Sequence, residues 1–285
     1  MRIHGWRWSA AAAAVVLLVA GWIAQRPGRD HHSSRPASTE NYLPGVAADV
    51  YLPSSPAGRA PVVVLIPGGG WRTADRRGLG PLAETLAAHG MVAVNATYRA
   101  ADSGARFPVP VNDVVCAVDF AADRARRAGI APGPVIVLGH SSGAHLAALA
   151  ALAGAHFRTD CPYPAVRVDG LVGLSGPYNI LLVQGVAYPL FGTSAADAPA
   201  AWREGNPMTW LTSRRDLPVL LAHGAADDLV SPTFTRTFAE GLEAAGHPVE
   251  LKLVSGAGHQ DIYQPAVIAD PVIAWITALT EAPPS

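Results

Sequence analysis

Between the apolar run 135–138 and an alanine-rich stretch that starts at Ala144, the chain reads Gly139-His140-Ser141-Ser142-Gly143. A G-x-S-x-G pattern in that setting predicts a sharp strand-to-helix turn, with the serine exposed at the carboxyl end of a strand. Gly139 and Gly143 leave room beside the turn, and Ala144, Ala147 and Ala148 let the following helix approach the sheet closely. A helix that starts just after Ser141 aims amide N–H groups and the positive end of its dipole at negative charge developing beside the hydroxyl.

Such a turn needs a parallel sheet around it, and the rest of the chain supplies one. Continuous apolar runs at 62–66, 92–94, 135–138, 168–174, 218–222 and 249–254 suit strands buried on both faces, and 46–51 reads as an additional early strand. Helical patterns near 81–89, 111–127, 142–154, 232–245 and 266–279 alternate with them. Gly90, Gly129 and Gly246 stand where left-handed caps would close three of these helices. The order predicts an α/β fold: a mostly parallel central sheet, helices on both faces, and ligands at the carboxyl ends of the strands. Segment 178–215, with Trp202, Trp210, several prolines and no sustained period, reads as a small insertion over the site. Charged residues are 15% of the chain, against about 25% in ordinary soluble proteins, so one large core is expected. The net charge of -1 offers no basic field for nucleic acid. Cys116 and Cys161 are too few and too far apart for a zinc cage, and no metal is implied.

The amino terminus reads as an export signal or an anchor. Arg2 and Arg7 precede an uncharged apolar run from Ser9 to Ala24, the layout of a secretory signal. No small-x-small cleavage motif ends the run, because Leu18 and Trp22 stand three residues before the two candidate boundaries, so a retained membrane anchor is also in view. The expected organisation is a signal peptide or signal anchor over 1–25, a polar linker over 26–40 and one domain over 41–285. Membrane contact would run through the amino-terminal segment alone. The expected location is outside the cytosol, secreted or held at the outer face of the membrane. There Cys116 and Cys161 could pair, or remain two separate buried thiols.

A serine hydroxyl needs a base, normally a histidine oriented by a carboxylate. His259 follows Gly258 directly after the last strand, and Asp227 follows the strand that ends near Ala222, so both reach the edge that carries Ser141. Asp227 is preferred to its neighbour Asp228. Asp261 reads as a helix-start residue, His140 as a pocket wall, His145 as helix packing and His223 as a strand-end residue. Pro67-Gly68-Gly69-Gly70-Trp71 follows the strand 62–66, and bare glycine amides there suit an oxyanion hole. Gly69, Gly70 and Ser142 are the expected donors. Trp71, His140 and Tyr178 are the expected substrate contacts.

With these pieces in place the chain resembles the α/β-hydrolase superfamily, and within it the esterases related to hormone-sensitive lipase and the feruloyl-esterase-like carboxylesterases. The resemblance covers about residues 43–280 and includes Tyr98-Arg99, Phe107-Pro108, Asp113 and Asn206-Pro207 besides the motifs above. The order Ser141, Asp227, His259 is that of the α/β-hydrolase fold. The resemblance implies serine hydrolysis of a small-molecule carboxylic ester, with a small or short acyl group, through an acyl-enzyme and without metal or cofactor. An amide-directed hydrolase and a non-catalytic binding protein on the same scaffold are the alternatives. These relatives usually carry a histidine before the glycines; this chain has Pro67, so the support of that side chain is missing.

Overall fold

A computed structural model of the protein describes residues 38–55 and 58–281. The expected signal or anchor and most of the expected linker lie outside them. Eight strands form one sheet: β1 (Ser38–Leu43), β2 (Val46–Tyr51), β3 (Arg59–Ile66), β4 (Val92–Ala96), β5 (Ala131–His140), β6 (Gly170–Leu174), β7 (Val219–Gly224) and β8 (Val249–Val254). Their spatial order is β1-β2-β4-β3-β5-β6-β7-β8. β1, β2 and β4 pair antiparallel, and every pairing from β4 to β8 is parallel. The helices are α1 (Gly80–Ala88), α2 (Val109–Arg127), α3 (Ser142–Phe157), α4 (Gln184–Phe191), α5 (Pro199–Glu204), α6 (Thr233–Ala245) and α7 (Pro265–Glu281). This is the α/β arrangement expected from the sequence.

The continuous apolar runs have a direct cause. Successive strand residues point to opposite faces, so a strand covered on both sides needs apolar side chains at every position. Val62, Val64 and Ile66 of β3 join one core with α2, α3 and α6, while Val63 and Leu65 join the other with α1 and α7. At the sheet's edge β8 places Glu250 and Lys252 among its apolar residues, charges that discourage pairing with another chain. Gly90, Gly129 and Gly246 have φ of 86°, 78° and 97°, the left-handed conformation expected of them.

Two features depart from the sequence reading, and a third decides between its two alternatives for the cysteines. β1 begins at Ser38, so the last three residues of the stretch expected as linker are sheet. Its polar sequence hides a strand because it lies at the edge, held by pairing to β2 and by an ion pair of Glu40 with Arg124 (2.7 Å). The segment 178–215 forms two short helices, α4 and α5, whose Ala187, Leu190, Phe191 and Trp202 join the core shared with α2 and α3; Phe191 stacks on Trp202 at 4.2 Å. Cys116 of α2 and Cys161, in the loop after α3, form a disulfide. Among the described residues no helix is long and apolar enough to cross a membrane.

The disulfide closes a loop across 45 residues of sequence. Replacing both cysteines by alanine should lower the unfolding free energy, measured in urea, by about 3–4 kcal/mol. A loss under about 1 kcal/mol would contradict the view that this cross-link restricts the unfolded chain.

Candidate active site

Four loops meet at the carboxyl edge of the sheet. They follow β3 (the glycine loop), β5 (Ser141), β7 (Asp227) and β8 (His259). At Ser141 the backbone takes φ 54° and ψ −124°, outside the usual regions for a residue with a side chain. Such a conformation costs on the order of 1–3 kcal/mol and persists only where its surroundings enforce it. Here they do. A Cβ on Gly143 would lie 2.3 Å from the Ile66 carbonyl oxygen, and one on Gly139 would lie 2.3 Å from that of Gly143, so any side chain would force the turn apart. The Ser141 amide donates to Leu174 O at 2.9 Å, tying the turn to β6.

The three expected side chains converge. Ser141 Oγ donates to His259 Nε2 at 2.9 Å, and His259 Nδ1 donates to Asp227 Oδ2 at 2.7 Å. The other carboxylate oxygen accepts the amides of Leu229 (3.0 Å) and Val230 (2.9 Å). Burial pushes the Asp227 carboxyl up, but the Val230 amide and the His259 imidazole more than offset this and hold it below the usual range. Asp228 is exposed and Asp261 caps the Gly258 amide at 2.8 Å, so neither competes for His259.

His140 lines the pocket, as expected. Its Nε2–H donates to the His259 carbonyl at 2.9 Å, bracing the backbone of the base. Burial, together with the charge His259 would carry, lowers the His140 pKa to about 3. It therefore stays neutral beside the base. Gly69 and Gly70 line the same pocket, and Ser142 opens α3. Among the described residues no backbone carbonyl takes the amide hydrogens of Gly69, Gly70 or Ser142, which leaves them available to an oxyanion.

Two expected substrate contacts are corrected. Trp71 is buried, and its indole Nε1 donates to His145 Nδ1 at 3.2 Å; it ties the glycine loop to α3 and does not line the pocket. It thereby gives the loop the support that Pro67 cannot. Tyr178 is wholly buried and stacks on Phe238 at 4.2 Å, also away from the pocket. Both errors have one source: aromatic residues near a catalytic loop are as useful to the core as to a ligand. The insertion reaches the pocket only through Val186, and the loop after β7 adds Leu229 and Val230. Val186 and Leu229 are 64% and 70% exposed, so they form an apolar rim to a cavity of about 570 Å³. Thr73, Asp75, Gln260 and Tyr263 give the lining its polar side.

The BD-FAE family model matches residues 48–242, more than half of the chain. The chain belongs to the BD-FAE family. His259 lies beyond the end of that match, so its assignment rests on the geometry above. Among curated proteins the chain is similar to isoprenylcysteine alpha-carbonyl methylesterase ICME of Arabidopsis thaliana, 27% identical over 75% of this chain and 54% of that protein. It is also similar to Esterase LipC of Mycobacterium tuberculosis, 29% identical over 73% of this chain and 54% of that protein. The chain spans about half the length of these relatives. A solved structure of a truncated carbohydrate esterase from gut microbiota superposes with a TM-score of 0.77 at 19% identity, covering 87% of this chain and all of the other, a likeness of fold. The α/β-hydrolase fold of this BD-FAE member is thus reached independently from its topology and from its neighbours.

Burial lowers the pKa of His145 to about 4, as it lowers that of His140 to about 3. The unfolded chain, with histidines near 6.5, takes up these protons first, so stability is lost as pH falls below about 6.5 and the loss levels off near pH 3–4. Each histidine should cost about 2 kcal/mol between pH 7 and pH 5. Urea unfolding at the two pH values measures the decline, and His145→Gln should reduce it; an unchanged decline in that variant would show that His145 is not held neutral by the fold.

Proposed function

We propose that the protein hydrolyses carboxylic esters of small molecules, with a small or short acyl group, through a Ser141 acyl-enzyme. The observation that carries this reading is the unbroken hydrogen-bond chain from Ser141 through His259 to Asp227 at the mouth of the cavity. His259 Nε2 takes the hydroxyl proton as Ser141 Oγ attacks the ester carbonyl carbon, and the carbonyl π electrons move onto oxygen. The amides of Gly69, Gly70 and Ser142 hold that oxyanion, and a single donor of this kind was worth about 3–4 kcal/mol where one was removed from another hydrolase. As the intermediate collapses, the imidazolium protonates the departing alcohol and the acyl group stays on Ser141. Water, deprotonated by His259, then attacks the acyl-enzyme; collapse of the second oxyanion returns the proton to Ser141 and frees the acid.

Val186, Leu229 and Val230 give one substituent of the ester an apolar wall, while the polar side of the cavity faces the other. The names of the relatives, a methylesterase and an esterase, favour esters over amides. Residence outside the cytosol, secreted or anchored by the amino-terminal segment, belongs to the same proposal. The basic and then apolar start of the sequence and the Cys116–Cys161 disulfide support it.

Purified protein should turn over p-nitrophenyl acetate, and Ser141→Ala should reduce kcat by at least about 10⁴-fold. Turnover unchanged in that variant would overturn the assignment. Formyl amides offered in parallel should be poorer substrates by kcat/KM; a preference for them would replace the ester reading with the amide one.

A further inference from the structure

His223 places a second imidazole against the triad carboxylate. It lies in β7, four residues before Asp227, and both side chains are fully buried. Its Nε2 is 2.8 Å from Val230 O and 3.1 Å from Asp227 Oδ2. A carbonyl and a carboxylate can only accept, so Nε2 carries the proton. Nδ1 then accepts from the Thr235 hydroxyl at 2.6 Å, and Thr235, in the first turn of α6, is itself buried. The network fixes the tautomer of His223 without any charge on the ring.

We propose that His223 is a positioning residue for hydrolysis: its Nε2–H holds the Val230 carbonyl, and with it the Val230 amide that grips Asp227 Oδ1, while the positive edge of the neutral ring lies against Oδ2. Asp227 has three donors, two amides on Oδ1 and the His259 imidazole N–H on Oδ2, and His223 Nε2 lies 3.1 Å from that same Oδ2. Val230 closes the ring, because its amide donates to Asp227 while its carbonyl accepts from His223. A carboxylate held in this way has little freedom to rotate, and the positive edge of the His223 ring beside Oδ2 moderates its pull on the His259 proton. Asp227, His259 and His140 are the titratable groups that bear on His223, and burial keeps its pKa below the usual histidine range. Removing the Nε2–H therefore has two effects. The carboxylate loses an orienting partner, and its Oδ2 becomes more basic and holds the His259 imidazolium more tightly.

This inference rests on the hydrolase reading, which wild-type turnover and its loss in Ser141→Ala establish separately. The test uses p-nitrophenyl acetate with His223→Leu, which removes the donor, and His223→Gln, whose amide N–H can reach toward the same acceptors. His223→Leu should lower kcat by about 10–100-fold with KM nearly unchanged, the size of effect that misplacing a catalytic group produces. Its acidic limb in kcat/KM should move up by about half a pH unit, and His223→Gln should recover most of both. Wild-type kcat and limb in His223→Leu would overturn the proposal. So would equal impairment of both variants with the limb unmoved, which marks a purely structural residue. Should His223→Leu fail to fold, Thr235→Val decides, since it removes the hydroxyl that sets the tautomer. It should show the same upward shift in weaker form, and a limb at the wild-type position would overturn the proposal.

Discussion

The first turn of α3 presses against the carbonyls of Ile66 and Pro67 so closely that Gly143 has no space for a β-carbon. That contact joins the two loops on which the chemistry depends. It brings the nucleophile turn and the glycine loop to the same edge of β3 and β5, neighbours in the parallel sheet. It also holds Ser141 in a backbone conformation the residue would not adopt alone, with its hydroxyl toward His259. Elsewhere the loop is anchored by the Trp71 indole on His145, whose own Nε2–H donates to Gly205 O at 2.8 Å. The anchoring runs from the glycine loop through α3 to the insertion, on the side away from the cavity.

Charge is handled with similar economy. His140 and His223 both lie near His259, and a second positive ring there would oppose the imidazolium that forms during attack. Burial, reinforced by the His259 charge, holds each below the usual histidine range; His140 donates to the His259 carbonyl, and His223 is bonded to Val230 and Thr235. The one carboxylate in contact with the base is kept ionised by its donors in spite of being buried. The two neighbours therefore add no positive charge beside the base.

Strands β2 to β8, helices α1, α2, α3, α6 and α7, and the triad were legible in the sequence because each depends on local chemistry. Apolar runs mark strands buried on both faces, glycines mark the caps, and Ser141, Asp227 and His259 each follow a strand whose end sets their position. What was not legible depends on contacts between distant parts of the chain. β1 is polar and exists because β2 pairs with it. Trp71 meets His145 across 74 residues, and nothing near either residue signals the meeting. Tyr178 begins the irregular segment, yet its ring turns inward onto Phe238. The sequence marks His223 as a strand-end residue; its spacing of four from Asp227 is the available signal, but only the curl of the loop back over β7 makes the contact.

The central claim is that His259 activates Ser141 as a nucleophile, and the most direct measurement is peptide mapping of the adduct formed with a fluorophosphonate. A single adduct on the peptide that contains Ser141, formed far more slowly in His259→Ala, is the result this account requires. An adduct on another residue, or labelling of Ser141 at the same rate without the imidazole, would contradict it.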